Sequence, residues 1–252
     1  MLLENKTAIV YGAAGSIGSA VARAYAREGA NLHLVGRTGL TLEPVAQRIL
    51  ADGGEAHVAE VDVLDRTAVE RHADSASAMS GRVDICFNAT SNDDVQGTPL
   101  VDMHVDDFLR PVTKAVTAHF VVATTVGRLM AAMGGGVVLV MGGGREAIPR
   151  LGGSHVAWAA LAGLCRQLAS ELGSDGVRVA WLLSPGSPDP GEQVSERHSG
   201  DAAGDRPGEP SGFLGPHPSY EEVASAAVFA ASDWARTITA AEINLTGGAV
   251  VD

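Results

Sequence analysis

Cysteine occurs only twice in this sequence, as Cys86 and Cys165, each inside an apolar stretch. The pair reads as two buried thiols rather than a disulfide or a metal pair, and a reducing cytoplasm is the expected compartment. Basic residues are also scarce: 18 Lys and Arg stand against 30 Asp and Glu, for a net charge of −12. Such a surface repels phosphate backbones and argues against nucleic acid as a partner, although a local basic patch can still hold one small anionic cofactor. No run of 18 apolar residues occurs, so no transmembrane helix and no membrane partner are expected. Glu4, Asn5 and Lys6 interrupt the N-terminal stretch, so no signal peptide is expected either. No His, Cys and Asp cluster has metal-ligand spacing, and no metal is expected. No repeat of 20–50 residues is present. Tyrosine is limited to Tyr11, Tyr25 and Tyr220.

What is there is a globular composition, 46% hydrophobic and 19% charged, long enough for one large α/β domain with a sizeable core. Short β-branched runs alternate with longer helical patterns. Strands are predicted over 7–11, 31–35, 55–61, 83–88, 137–141, 177–183 and 241–245. Helices are predicted over 17–28, 40–52, 67–79, 104–133, 154–172 and 220–231. Alternation of this kind implies parallel pairing by right-handed crossovers, and strands apolar on both faces imply helices on both sides. The expected fold is therefore a doubly wound, Rossmann-type α/β sheet of about seven strands in a single domain spanning 1–252. One segment departs from the pattern: 187–218, rich in Pro, Gly, Asp, Glu and Ser, reads as a flexible loop over the substrate.

The first strand runs into Gly12-Ala13-Ala14-Gly15-Ser16-Ile17-Gly18, and a helix starts at once. Glycine lets the chain turn tightly and approach a pyrophosphate, which the free N–H groups of the helix then face. Alone such a string is weak evidence; between the first strand and helix of a βαβ unit it points to a dinucleotide. Just after the second strand, an acid would hold the ribose 2′-hydroxyl of NAD. This sequence has Gly36-Arg37-Thr38, and a guanidinium suits the 2′-phosphate of NADP, so NADP is expected over NAD.

From this point the sequence resembles the short-chain dehydrogenase/reductase family over nearly its whole length. The glycine string looks like the family's TGxxxGxG, with Tyr11 in place of Thr and Ser16 in place of one Gly. Val61-Asp62-Val63 resembles the Asp-Val pair that cradles adenine. Val83 to Ser91 resembles the VDILVNNAG segment, with Asn88 and Ala89 at its centre and only its first Asn kept. Ser184-Pro185-Gly186 matches the Pro-Gly after the sixth strand, and Tyr220 to Gly248 the C-terminal helix and closing Gly-Gly. The resemblance thus implies cofactor contacts from Asp62, Val63, Asn88, Ala89, Pro185 and Gly186 as well as from the glycine turn.

The resemblance also implies a reductive mechanism that this sequence does not carry. The family uses a Tyr with a Lys four residues later, a Ser at the end of the fifth strand, and an Asn in the preceding helix. Gly163, Arg166, Leu168, Ala169, Glu171 and Leu172 set the register of the Tyr-Lys helix, which places Ser154 in the Tyr slot and Trp158 in the Lys slot. The Ser slot falls on Gly143 within Gly142-Gly143-Gly144, and the Asn slot, counted back from Phe120, on Ala115. Ser154 is too short and too weakly acidic to replace a phenol, Trp158 carries no charge, and Gly143 and Ala115 have no side-chain donor. General acid catalysis is worth about 10²–10⁴-fold, which would have to come from elsewhere. His155 adjoins the Tyr slot but faces the site only if the helix slips by one residue, which would put Ala159 in the Lys slot. Arg145 and Arg150, beside the expected nicotinamide end, read either as solvated loop charges or as a grip on an acidic substrate.

Two functions are expected to compete. One is an atypical NADP-dependent oxidoreductase acting on a carbonyl or alcohol of a small molecule. The other is a protein of the same fold without redox chemistry: a non-redox enzyme on an acyl-type substrate, or a catalytically silent dinucleotide-binding partner or sensor. The long helices over 104–133 and 154–172, with small residues such as Ala157, Ala160 and Gly163, suit a homotetramer or homodimer.

Overall fold

A computed structural model of the chain describes residues 1–145, 147–184, 212–214 and 218–251. Its strands are β1 (Thr7–Tyr11), β2 (Asn31–Gly36), β3 (Glu55–Glu60), β4 (Ile85–Asn88), β5 (Gly136–Gly142), β6 (Val177–Leu183) and β7 (Ala241–Asn244). They form one all-parallel sheet in the order β3-β2-β1-β4-β5-β6-β7. The helices are α1 (Ser16–Arg27), α2 (Gly39–Ala51), α3 (Arg66–Ser80), α4 (Val105–Ala132), α5 (Ser154–Leu172) and α6 (Tyr220–Ala231). The elements expected from the hydrophobic pattern are thus present in order, with ends displaced by one or two residues. β4 starts at Ile85 rather than at 83, because Asp84 turns its carboxylate back to the Thr7 amide, 2.9 Å away.

Alternation along the strands explains why the core comes in two halves. On one face Ile9, Tyr11, Cys86, Val138, Val140 and Trp181 pack against α3, α4 and α5. On the other, Val10, Leu34, Phe87, Leu139, Ala180 and Leu182 pack against α1, α2 and α6. Both cysteines are buried and free, and burial pushes the Cys165 thiol up to about 12. α4 is long and apolar enough to cross a membrane by length and composition, but 56% of its most apolar window is buried inside the protein, between α3, α5 and the sheet.

The sheet order reverses direction at β1: the chain moves outward through β2 and β3, then returns to the other side of β1 with β4. The carboxyl ends of the strands at this reversal are where open α/β sheets bind ligands. Of the segment expected as a substrate loop, only 212–214 and 218 lie within the described residues, and Pro185 and Gly186 lie outside them.

Candidate active site

The candidate site begins at the turn after β1. Gly12 has φ +76°, a left-handed conformation that glycine adopts without strain, and a Cβ there would sit 2.6 Å from the Ala89 carbonyl oxygen at the end of β4. Gly18, in the first turn of α1, lies directly against the Gly12 carbonyl, so any side chain would push the helix off the strand. Gly15, between them, is exposed, with only the Gly12 oxygen at 3.4 Å from where a Cβ would stand. Ala14 and Ser16 are exposed beside it and Ile17 is half-buried. No side chain caps α1, and no acid lies in its first turn. The three glycines therefore bring a bare, uncapped helix N-terminus to an open surface, an arrangement that fits a pyrophosphate.

At the adenosine end, Arg37 is exposed and makes no ion pair among the described residues. The sequence motif gave no acid at 36–38, but the sheet brings one from β3. Glu60 pairs in register with Gly36, and its carboxylate accepts a hydrogen bond from the Gly39 amide at the start of α2. Local sequence could not reveal this neighbour, which is 21 residues away from Gly39. Asp62 is exposed, with its carboxylate accepting from the Leu64 amide at 3.0 Å, and Val63 is buried. Asn88 is buried at the end of β4. Its Oδ1 accepts from the Thr90 amide at 3.1 Å and from the Thr90 hydroxyl at 2.9 Å, while its Nδ2 has no partner. Ala89 supplies backbone opposite Gly12.

Beyond the cradle, Gly143, Ser154 and Trp158 come together at the ends of β5 and α5. The indole of half-buried Trp158 lies on Gly143 so closely that a Cβ there would overlap the ring. Ala115 is buried in α4, which packs extensively on α5. Ser154 is fully buried, and its hydroxyl donates to Oδ2 of Asp94 at 3.2 Å. His155 is half-buried, the next position round the helix.

Asp94 belongs to the stretch between β4 and α4, which sequence reasoning passed over. That stretch is pinned at several points. Lys114 of α4, mostly buried, pairs with Asp93; Gln96 donates to Asp94; and the Gly97 amide donates to the Arg150 carbonyl at 2.9 Å. Gly152, at φ +65°, lets the chain before α5 pass directly against the Val95 carbonyl. The nearest sequence signal was the acidic pair Asp93-Asp94 itself, which carries no information about its partners on α4 and α5.

Arg145 pairs with Glu242 of β7, whose other oxygen accepts from the Trp181 indole N–H at 2.8 Å. It is therefore neither a plain solvated loop charge nor an open grip on a substrate. Arg150 takes φ +66° and contributes its carbonyl to the Gly97 contact. Tyr11, next to the glycine turn in sequence, points the other way: its ring is buried edge-on to His72 at 6.1 Å, and burial raises its pKa. Among the described residues no group of three His, Cys, Asp or Glu side chains is arranged to hold a metal ion.

Residues 12–250 match the family model for enoyl-(acyl carrier protein) reductases. The chain is 32% identical over 254 residues to D-threitol dehydrogenase of Mycolicibacterium smegmatis, covering 98% of this chain and 93% of that protein. It is 27% identical to the 3-oxoacyl-[acyl-carrier-protein] reductase of Chlamydia trachomatis, covering 98% of each. Among solved structures, an NAD⁺-bound xylitol dehydrogenase superposes with a TM-score of 0.85 at 25% identity, covering 98% of this chain and all of that one.

Proposed function

The chain belongs to the short-chain dehydrogenase/reductase family, and from that premise we propose that it is an oxidoreductase that works without the Tyr-Lys pair, uses NADP in preference to NAD, and acts on a small hydroxylated or carbonyl compound. The observation that carries the reading is the open glycine turn onto an uncapped α1, which fits a dinucleotide pyrophosphate. Gly12, Ala14, Gly15, Ser16, Ile17 and Gly18 would hold the phosphates, and Asp62 and Val63 would flank the adenine. Asn88 and Ala89 would line the floor, and Arg37 would meet the 2′-phosphate. Pro185 and Gly186 are assigned to the nicotinamide end by the family pattern alone. When bound, the dinucleotide supplies or takes up the hydride. The chain's own part is to orient it, exclude water and move the accompanying proton. The relatives named for threitol, for xylitol and for an acyl chain support a small substrate bearing an alcohol or a ketone.

The test is calorimetric titration with NADP⁺ and NAD⁺, followed by absorbance at the reduced-nicotinamide band against a panel of polyols, secondary alcohols and ketones. Tighter binding of NADP⁺ with turnover on at least one alcohol–ketone pair supports the reading. No binding of either nucleotide overturns it.

One observation favours a second reading, a dinucleotide-binding protein with no redox turnover: Trp158 takes up the space in which a serine at 143 would hold a substrate carbonyl. Binding of NADP(H) without turnover across the panel would establish that alternative. In either case we propose a cytoplasmic homotetramer or homodimer assembled through α4 and α5, where Leu109, Phe120 and Val156 are exposed. A monomer by light scattering at micromolar concentration would refute this.

A further inference from the structure

We propose that Asp94 is the proton acceptor and donor of this site, with Ser154 holding its carboxylate in place; this rests on the oxidoreductase reading above. Among the described residues, Asp94 is the one titratable group hydrogen-bonded to any of the four residues in the family's catalytic slots, at 3.2 Å from the Ser154 hydroxyl. Ala115 and Gly143 have no side-chain donor or acceptor, and Trp158 has only an indole N–H.

The geometry gives this carboxylate a defined place. A tyrosine at 154 would extend its phenol well beyond the reach of a serine hydroxyl. In this chain the distance is covered in two pieces, by the short side chain of Ser154 and then by Asp94, delivered from the other side by the β4–α4 connection. Ser154 is fully buried, whereas Asp94 is exposed, so the pair joins a buried hydroxyl to a solvent-accessible carboxylate. The connection is held to the rest of the protein at three points: Lys114 binds Asp93, the Gly97 amide bonds to the Arg150 carbonyl, and Gly152 lets the chain before α5 pass against the Val95 carbonyl; within it, Gln96 donates to Asp94. Trp158 lies on Gly143, so position 143 has no room for a hydroxyl that could share this role.

The chemistry is balanced in the direction of alcohol oxidation. The carbinol carbon loses a hydride to the oxidised nicotinamide dinucleotide, its O–H bond breaks, and the proton passes to the Asp94 carboxylate, leaving the ketone. In reduction the protonated Asp94 returns that proton to the forming alkoxide. An ionised carboxylate can accept the proton in the oxidative direction and, once protonated, return it in reduction.

The experiment compares wild type with Asp94→Asn, Asp94→Glu and Ser154→Ala, first matched for thermal melting and for NADP⁺ affinity by calorimetry. The expected result is a loss of about 10²-fold or more in kcat for Asp94→Asn, with partial recovery in Asp94→Glu, in line with the usual weight of general acid–base catalysis. Ser154→Ala, a positioning change, should lose less and shift the acidic limb of the kcat–pH profile, and that limb should vanish in Asp94→Asn. A readout independent of turnover is proton release when the ternary complex with NADP⁺ and a non-reacting alcohol analogue forms, measured in two buffers of different ionisation enthalpy. It should change between wild type and Asp94→Asn. Turnover with an unchanged pH profile and unchanged proton release in Asp94→Asn overturns the assignment while leaving the oxidoreductase reading standing. Nucleotide binding with no turnover by wild type overturns both.

Discussion

A Cβ built on Gly143 overlaps Cε2, Cδ2 and Cζ2 of the Trp158 indole. The two positions, one at the end of β5 and one in α5, are therefore a matched pair: the tryptophan requires the glycine. If positions 143 and 158 are the family's Ser and Lys slots, as the helix register implies, one packing fact accounts for both replacements. It also means that a side chain at 143 can be accommodated only once Trp158 is replaced.

The first expected outcome concerns stability. Gly143→Ala should lower the melting temperature, because overpacking a filled site costs about 1–3 kcal/mol. In a Trp158→Ala background the same change should be tolerated. A double-mutant cycle by thermal or denaturant melting measures the coupling, and additive effects would show that the indole moves aside freely.

The second follows from the same pair. Ser154→Tyr alone should do little for ketone reduction, since the phenol keeps a pKa near 10 without a neighbouring cation. Ser154→Tyr with Trp158→Lys should do better, because the positive charge favours phenolate. Gly143→Ser should raise the rate further only when Trp158 is already lysine, where it has room. NADPH consumption by the series, read beside melting curves, tests this order. A benefit of Gly143→Ser in the presence of Trp158 would contradict it.

The third concerns the nucleotide. Glu60 places a carboxylate at the α2 N-terminus, close to where Arg37 would meet a 2′-phosphate. Glu60→Gln should therefore tighten NADP⁺ binding more than NAD⁺ binding, by removing a like charge. Arg37→Glu should weaken NADP⁺ and reverse the preference. Isothermal titration at low salt, where the effect is least screened, is the measurement.

The fourth is a pH dependence. Burial lowers His33, His72 and His119 to about 4 from an ordinary value of 6.5. The folded state thus keeps them neutral while the unfolded chain takes up protons. Their contribution is complete above about pH 6.5, is lost progressively as pH falls from 6.5 to 4, and is level below that. For His119 alone, which is fully enclosed in α4, the loss amounts to roughly 3 kcal/mol. His119→Leu should flatten the acid limb of the stability curve. It should also raise stability at neutral pH, since Nδ1 of His119 is buried without a partner. An acid-unfolding curve identical to wild type would refute this.

The strand and helix order was legible in the chain because short, continuously apolar β-branched runs and longer helical patterns leave their mark locally. Gly134 and Gly135, at φ +84° and +132°, end α4 where the glycine run said they would. The turn Gly12 to Gly18 was equally plain, since backbone conformation and close approach both demand glycine there. By contrast, Arg145 could be read as a solvated loop charge or as a grip on an acidic substrate but not as an ion pair, because its partner Glu242 lies on β7, far along the chain.

By itself, then, the sequence determined the parallel α/β sheet and the glycine turn from β1 into α1. Those features depend on short-range rules: alternation, helix termini and the conformational freedom of glycine. Only the tertiary structure decided that Trp158 lies on Gly143, that the Glu60 carboxylate caps the start of α2, and that Asp94 meets the buried hydroxyl of Ser154. Each joins segments that are distant in sequence and adjacent only because parallel strands carry their loops to one edge of the sheet. Their chemistry is set by what faces them across that edge.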